Sequence, residues 1–235
     1  MADPGAPLAP PRNAGTRLRK LLGRIRRRFA LDVYDVFRRA VPADARVEPP
    51  AGYAFAWGTA EDVERCDPLH TELDERERSA GRERLAIGHR VVLGFHVAGP
   101  GPRVAVFSMW VNPRNLNVPG LVKRRLAPGQ WFIYKAFTSP EHRGKKLYET
   151  GMRFVLAEMA RQGLAELVGY AHVKKTVSRK GLSALSFASA GRITQLSWPF
   201  FRRTFQSRAL RANFPEALPR SGPRGADPRL SASPR

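Results

Sequence analysis

Residues 131–163, WFIYKAFTSPEHRGKKLYETGMRFVLAEMARQG, constrain the fold more than any other part of this 235-residue chain. They open with an apolar, strand-like run, 131–138, that stops at Ser139-Pro140, because proline lacks a backbone donor and restricts the residue before it. A short basic loop, 141–146, follows. Leu147, Met152, Val155, Leu156 and Met159 then recur at helical spacing as far as Gly163, a residue suited to a helix end. A buried strand that feeds a long amphipathic helix through so short a loop turns several backbone N–H groups into one concavity. The positive end of the helix dipole lies there as well, and Arg143, Lys145 and Lys146 add full charges. Such a loop suits a pyrophosphate.

The flanking sequence completes an α/β pattern. Residues 53–57 read as a strand, and Thr59 caps a short helix over 60–66. Residues 71–86 are strongly charged and predict a solvated helix with Gly81 near its middle or end. Strands are expected over 89–98 and 103–111, joined by a Gly-Pro-Gly-Pro turn, and again over 167–173, 193–198 and near 201–205. Residues 179–190 predict a helix ending at Gly191, and 31–41 fit a helix or a strand equally well. Residues 112–130 read as a long polar loop. Its Arg114, Lys123, Arg124 and Arg125 favour an anionic acceptor beneath it. The order of elements gives a mixed α/β layout with a mainly antiparallel first half.

Residues 140–145, Pro-Glu-His-Arg-Gly-Lys, in their strand–loop–helix setting, resemble the cofactor-binding motif of the GNAT superfamily of acyl-CoA-dependent N-acetyltransferases. That family's loop runs Arg/Gln-x-x-Gly-x-Gly/Ala. Arg143 fits its first position, whereas Lys146 stands where the first glycine is expected and Tyr148 where the second is. An aromatic that opens the helix is tolerable; Lys146 still offers its N–H provided its φ is negative. Residues 167–193 are similar to the family's next strand and helix, with Ser183 and Gly191 in place, Lys180 for the usual Asn and Arg192 for the usual aromatic.

The resemblance spans roughly 52–206. It implies a GNAT-like mixed, mostly antiparallel twisted sheet flanked by helices, with a splayed central strand pair. It also implies acetyl-CoA, or another acyl-CoA, as co-substrate and no metal. The cofactor would lie against Phe137, Thr138, His142, Arg143, Gly144, Lys145, Lys146, Leu147 and Tyr148. His172, Tyr134 and Ser183 are the catalytic candidates, with Tyr170 and His96 as further bases near the splay. The 179–190 helix offers Phe187 rather than the tyrosine acid often found there, so Ser183 or Ser186 stands in. The activity implied is N-acyl transfer to a small-molecule amine or amino sugar. The alternative is a GNAT-like acyl-CoA-binding module without turnover, recruited to an anionic partner.

Four segments are expected: a disordered stretch over 1–15, a basic amphipathic helical arm over 16–41, the acyltransferase domain over 50–206 and a disordered basic tail over 213–235. The net charge of +21 is concentrated at the ends of the chain. The face of 16–29 that carries Leu18, Leu21, Leu22, Ile25 and Phe29 suits an anionic membrane surface, the domain itself or a twin subunit in a homodimer. Nucleic acid is disfavoured because no aromatic-basic recognition motif is present. Neither a Walker loop nor a dinucleotide-binding glycine fingerprint occurs. A single cysteine, the lack of a long apolar run and a start without secretory features lead to an expectation of a cytoplasmic protein, or through the basic arm one peripheral to the inner membrane; a bacterial source is implied only by the likeness of that arm and residues 31–41 to proteins of bacterial surface-polysaccharide gene neighbourhoods.

Overall fold

The structure, a computed structural model, describes residues 30–97, 103–198 and 201–219. The region holding the expected membrane-binding helix, 16–29, lies outside them, as do 1–15 and 220–235. The strands are β1 (Ala30–Ala40), β2 (Tyr53–Gly58), β3 (Arg90–His96), β4 (Val104–Asn112), β5 (Asn115–Val118), β6 (Val122–Arg125), β7 (Gln130–Thr138), β8 (Glu166–His172), β9 (Ala188–Trp198) and β10 (Phe201–Gln206). Helices α1 (Ala60–Arg65), α2 (Pro68–Thr71) and α3 (Glu75–Ala86) precede β3. The main helix, α4 (Leu147–Arg161), joins β7 to β8. Helices α5 (Thr176–Ala184) and α6 (Arg208–Asn213) complete the described set.

Eight strands form one twisted sheet in the order β10-β9-β1-β8-β7-β4-β3-β2. Every pairing is antiparallel except β7 with β8, which is parallel, as a crossover through α4 requires. The expected class, a mixed and mostly antiparallel sheet flanked by helices, is the one observed.

The described part of the expected helical arm, 16–41, is not helical. Residues 30–40 are β1, inserted between β8 and β9, with Tyr34 opposite both His172 and Ile193. Periodicity left helix and strand open because Val33, Tyr34, Val36 and Phe37 fit either; two flanking strand edges decide for strand, since they satisfy the backbone on both sides. Val36 is wholly buried at its centre. Asp35 is buried too, and is paired with Arg192 at 2.7 Å and Arg179 at 3.4 Å, as a charge taken out of water must be. The folded unit therefore includes β1 and does not begin at residue 50.

Three further expectations change. Residues 112–130 are no open loop: β5 and β6 form a hairpin that packs Leu116, Val118 and Val122 over Val36, Phe132 and Val168. Its Arg124 is buried and donates to Gln206 Oε1 and to the carbonyls of Phe214 and Pro215, while Arg125 pairs with Glu216. Those cations hold the chain's own C-terminal segment and are not spare for an anionic acceptor. The described chain consequently stays ordered beyond 213, with Phe214 buried and the Leu218 N–H donating to the Lys123 carbonyl. Finally, the helix expected over 179–190 ends at Ala184, and Gly191 lies inside β9.

One face of the sheet packs Val92, Phe107, Ile133 and Leu167 beneath Met152, Val155 and Met159 of α4. The other carries the β5–β6 hairpin with Leu210 and Phe214, and, around Val63, Leu73 and Trp110, the α1–α3 segment. Among the described residues no helix is long and apolar enough to cross a membrane.

Candidate functional site

Strands β7 and β8 touch through only three residue pairs, Gln130↔Glu166, Trp131↔Leu167 and Phe132↔Val168. Beyond Phe132 they part. β7 continues along β4, but its register shifts between Ser108 and Trp110, where Lys135 takes a φ of +48°. An extra residue in a strand bends it away from its neighbour. Lys135 and Ala136 are exposed although they lie near the middle of an eight-stranded sheet. β8 meanwhile keeps its pairing with β1 up to His172. The result is a cleft in the sheet with β7 backbone along one wall.

The loop 139–146 sits at the top of that cleft. Pro140–His142 form a single 3-10 turn, Gly144 has φ +78°, and Lys146 is the N-cap of α4 with φ +58° and ψ +19°. The condition set for Lys146, a negative φ, is not met. A residue with a Cβ takes up the left-handed conformation at a cost of about 1–2 kcal/mol. No side chain caps α4, and none caps α5. In contrast, Thr59, Asp67, Asp74 and Ser207 each accept from a first-turn N–H of α1, α2, α3 and α6. The first-turn amides of α4, at Leu147, Tyr148 and Glu149, are thus left for an external acceptor.

Four of the chain's five tyrosines gather around the cleft. Tyr170 stacks on Phe132 at 5.6 Å, Phe132 on Tyr134 at 5.9 Å, and Tyr34 lies 6.0 Å from Tyr170. Tyr148 reaches in from α4, and its ring fills the space beside Gly181, where an added Cβ would come within 2.7 Å of it. Burial pushes the Tyr148 and Tyr170 hydroxyls up to about 12, and Tyr170 also feels Tyr34 and Tyr148. Both stay neutral hydrogen-bond donors at physiological pH. The Tyr134 hydroxyl is likewise raised, first by burial, and lies 2.6 Å from His89 Nδ1. His89 is lowered to about 4 by burial, helped by Arg84 and Arg114, so it is neutral, and in its Nε2–H tautomer Nδ1 accepts the hydrogen bond of the Tyr134 hydroxyl.

The anticipated residues divide into three groups. Tyr134 and Tyr148 stand at the cleft, with Phe137 and Thr138 on its β7 wall. His142, Arg143, Gly144, Lys145 and Lys146 form the loop, with Leu147 buried beneath it so that only its amide faces outward. Arg143 turns back, its Nε donating to the Thr138 carbonyl at 3.3 Å. His172 reads differently from a base. Its Nδ1 accepts the Lys174 N–H at 3.1 Å and its Nε2 faces Asp32 at 3.3 Å, so both nitrogens are engaged and no lone pair is free to take a proton. Ser183 is exposed on α5, and Phe187 is buried in the core beyond that helix. His96 lies on the loop's outer side, against Tyr53 and His142.

Sequence reasoning missed Tyr34, Asp32 and His89. Nothing local marks Tyr34 or Asp32, which reach the cleft only because β1 is inserted beside β8. His89 had one weak signal, its place at the start of a strand next to the one expected to flank β7.

No protein-family model and no curated protein matches the sequence. Solved structures to which the chain is similar include a GCN5-related N-acetyltransferase from Sphaerobacter thermophilus, at 13% identity over 83% of this chain and 58% of that one, with a TM-score of 0.46. Another, from Kribbella flavida, is 16% identical over 80% of this chain and 64% of its own, at a TM-score of 0.46. An acetyltransferase of the GNAT family from Colwellia psychrerythraea gives 12%, 72%, 57% and 0.48 in the same order. The chain spans about three fifths of the length of these structures.

Proposed function

We propose that this chain is a GNAT-type, acyl-CoA-dependent N-acyltransferase acting on a small-molecule amine or amino sugar. The observation that carries the reading is the parting of β7 and β8 after three residue pairs, directly below the uncapped start of α4. The residues fit the co-substrate. The free amides of Leu147, Tyr148 and Glu149, with Lys145 and Lys146, would hold its diphosphate. The β7 edge that has no β8 partner beyond Phe132 would pair with its pantetheine arm as a missing strand does.

When bound, the acyl-CoA supplies a thioester carbonyl for direct attack by a neutral amine, with release of the thiol. This chain's own groups supply orientation and hydrogen bonds at the cleft. Tyr148 and Tyr170, kept neutral by burial, would offer hydrogen-bond donors to the thioester oxygen and sulfur. The Tyr134 hydroxyl donates a hydrogen bond to His89 Nδ1 and stays protonated, which would leave its oxygen lone pairs to accept an N–H of the acceptor. The net proton passes from the amine nitrogen to the thiol sulfur.

A second reading is favoured by one observation: Lys146 and Tyr148 occupy places that small residues fill in the resembling motif. A module that binds acyl-CoA without turnover would carry both. Free thiol released from acetyl-CoA across amines, amino sugars and peptides, measured beside the melting temperature with coenzyme A, separates the two. Release with an amine-dependent rate supports the enzyme. A rise in melting temperature without release supports the module, and neither effect rejects both.

A further inference from the structure

The loop before α4 has a second face, which shares Lys145 and Lys146 with the diphosphate cradle and adds two imidazoles that the cradle does not use. On its β2–β3 side lies an open recess, with Pro50, Tyr53 and His96 on one wall and Gly144, Lys145 and Lys146 on the other. The imidazoles of His96 and His142 are 4.9 Å apart at this rim. Tyr53 organises the wall: its hydroxyl lies 2.8 Å from His142 Nδ1, its ring is 5.2 Å from that of His96, and Lys145 Nζ sits 5.6 Å above it. Among the described residues the second nitrogen of His142 has no hydrogen-bond partner, and no carboxylate forms an ion pair with Lys145, Lys146, His96 or His142. Elsewhere on this basic surface Arg65, Arg82, Arg125 and Arg153 do find acidic partners.

Two ammonium groups without an ion-pair partner give this concavity an excess of positive potential, which repels any further positive charge. Burial, His96 and Lys145 already hold the His142 imidazole below its usual range, with only exposed Glu141 acting the other way and His70 adding to the repulsion. An anion relieves that repulsion. The donors approach from opposite walls, which matches several oxygens spread around one centre better than the two of a carboxylate. We infer that this recess binds a phosphomonoester dianion, held by Lys145, Lys146, His96 and His142. Such a group carries close to two negative charges near pH 7 and three acceptor oxygens. Its nearest source, on the acyl-CoA reading, is the 3′-phosphate of the nucleotide whose diphosphate lies on the same loop; a free phosphate shares the chemistry.

Coenzyme A and dephospho-coenzyme A differ only in that 3′-phosphate, so calorimetry with the two on the full chain isolates the recess. The expected result is about tenfold tighter binding of coenzyme A. In His96→Gln the ratio should fall several-fold, with the dissociation constant of dephospho-coenzyme A unchanged. A parallel titration follows the His96 and His142 imidazole resonances with 3′,5′-ADP and with inorganic phosphate. Equal binding of the two coenzymes by the wild type, with resonances that do not move, overturns the recess and leaves the acyl-CoA reading intact. Equal binding with resonances that move assigns the recess to free phosphate. If neither coenzyme binds, the acyl-CoA reading falls, and the recess stands only if inorganic phosphate moves those resonances.

Discussion

The same two strands behave in opposite ways along their length. From Gln130 to Phe132 and from Glu166 to Val168, β7 and β8 are hydrogen-bonded, and Trp131, Phe132, Leu167 and Val168 are buried. Past that point the ladder stops, Lys135 and Ala136 are exposed, and the opening is lined by phenols, of which Tyr134 alone has a hydrogen-bond partner among the described residues. The lower half of this seam joins two four-stranded halves of the sheet. The upper half contributes little cohesion and keeps polar groups where a ligand can use them. Stability and chemistry are separated here by one residue, and substitutions on either side should separate them too.

The largest effect is expected in the closed half. Phe132 is wholly buried between the Tyr134 and Tyr170 rings, so Phe132→Ala should cost about 3–5 kcal/mol in urea unfolding, from lost burial and the cavity left behind. In the open half, Tyr170→Phe removes a hydroxyl that bonds to none of the described residues. Its unfolding free energy should stay within about 1 kcal/mol of wild type while amine-dependent thiol release falls by about 10- to 100-fold. A Tyr170→Phe protein that is as active as wild type removes that phenol from the mechanism.

The next effect concerns pH. His89 has a folded pKa of about 4, below its unfolded value, so between the two the unfolded chain binds the extra proton. Its contribution is complete above the unfolded value near 6.5 and is lost as the pH falls towards 4. Partial solvent access reduces the effect to roughly 1–2 kcal/mol. His89→Asn keeps an acceptor for the Tyr134 hydroxyl but does not titrate. Its unfolding midpoint should fall less than that of wild type between about pH 7.5 and about pH 4.5, and equal slopes would detach His89 from the acid sensitivity of the site.

How much of this was legible depended on whether a feature is local. The strand–loop–helix of 131–163 was, because proline, the basic run and the apolar period all lie within one short segment. Its neighbours β2, β3 and β4 were legible for the same reason, from turn residues and alternation. The placement of β1 was not: a strand inserted between β8 and β9 is specified by edges distant in sequence, so Tyr34 and Asp32 could not be assigned to a cleft. The β5–β6 hairpin was hidden by composition, since Arg124 and Arg125 look like surface charge until the C-terminal carbonyls and Glu216 that they hold are in view. His172 was placed correctly at the end of its strand, but whether its nitrogens are free depends on Asp32 and on a turn that sequence does not reveal.

The smallest expected effect bears most directly on the open half. Lys146 holds φ +58° despite its β-carbon, a strain of about 1–2 kcal/mol, whereas glycine there would widen the unfolded ensemble at a cost of about 0.4–1 kcal/mol. The first term exceeds the second, so Lys146→Gly should stabilise the fold by about 0.5 kcal/mol, seen as a small rise in the urea midpoint. Its effect on ligand tells what the strain is for. If the ammonium holds phosphate, coenzyme A affinity should fall several-fold, more steeply at low salt than at high salt. If Lys146 merely obstructs the approach of phosphate to the α4 amides, the same substitution should raise affinity along with stability. A loop selected for its backbone alone would show the second result, and the first would mean that here a side chain has taken over work that the resembling motif leaves to glycine.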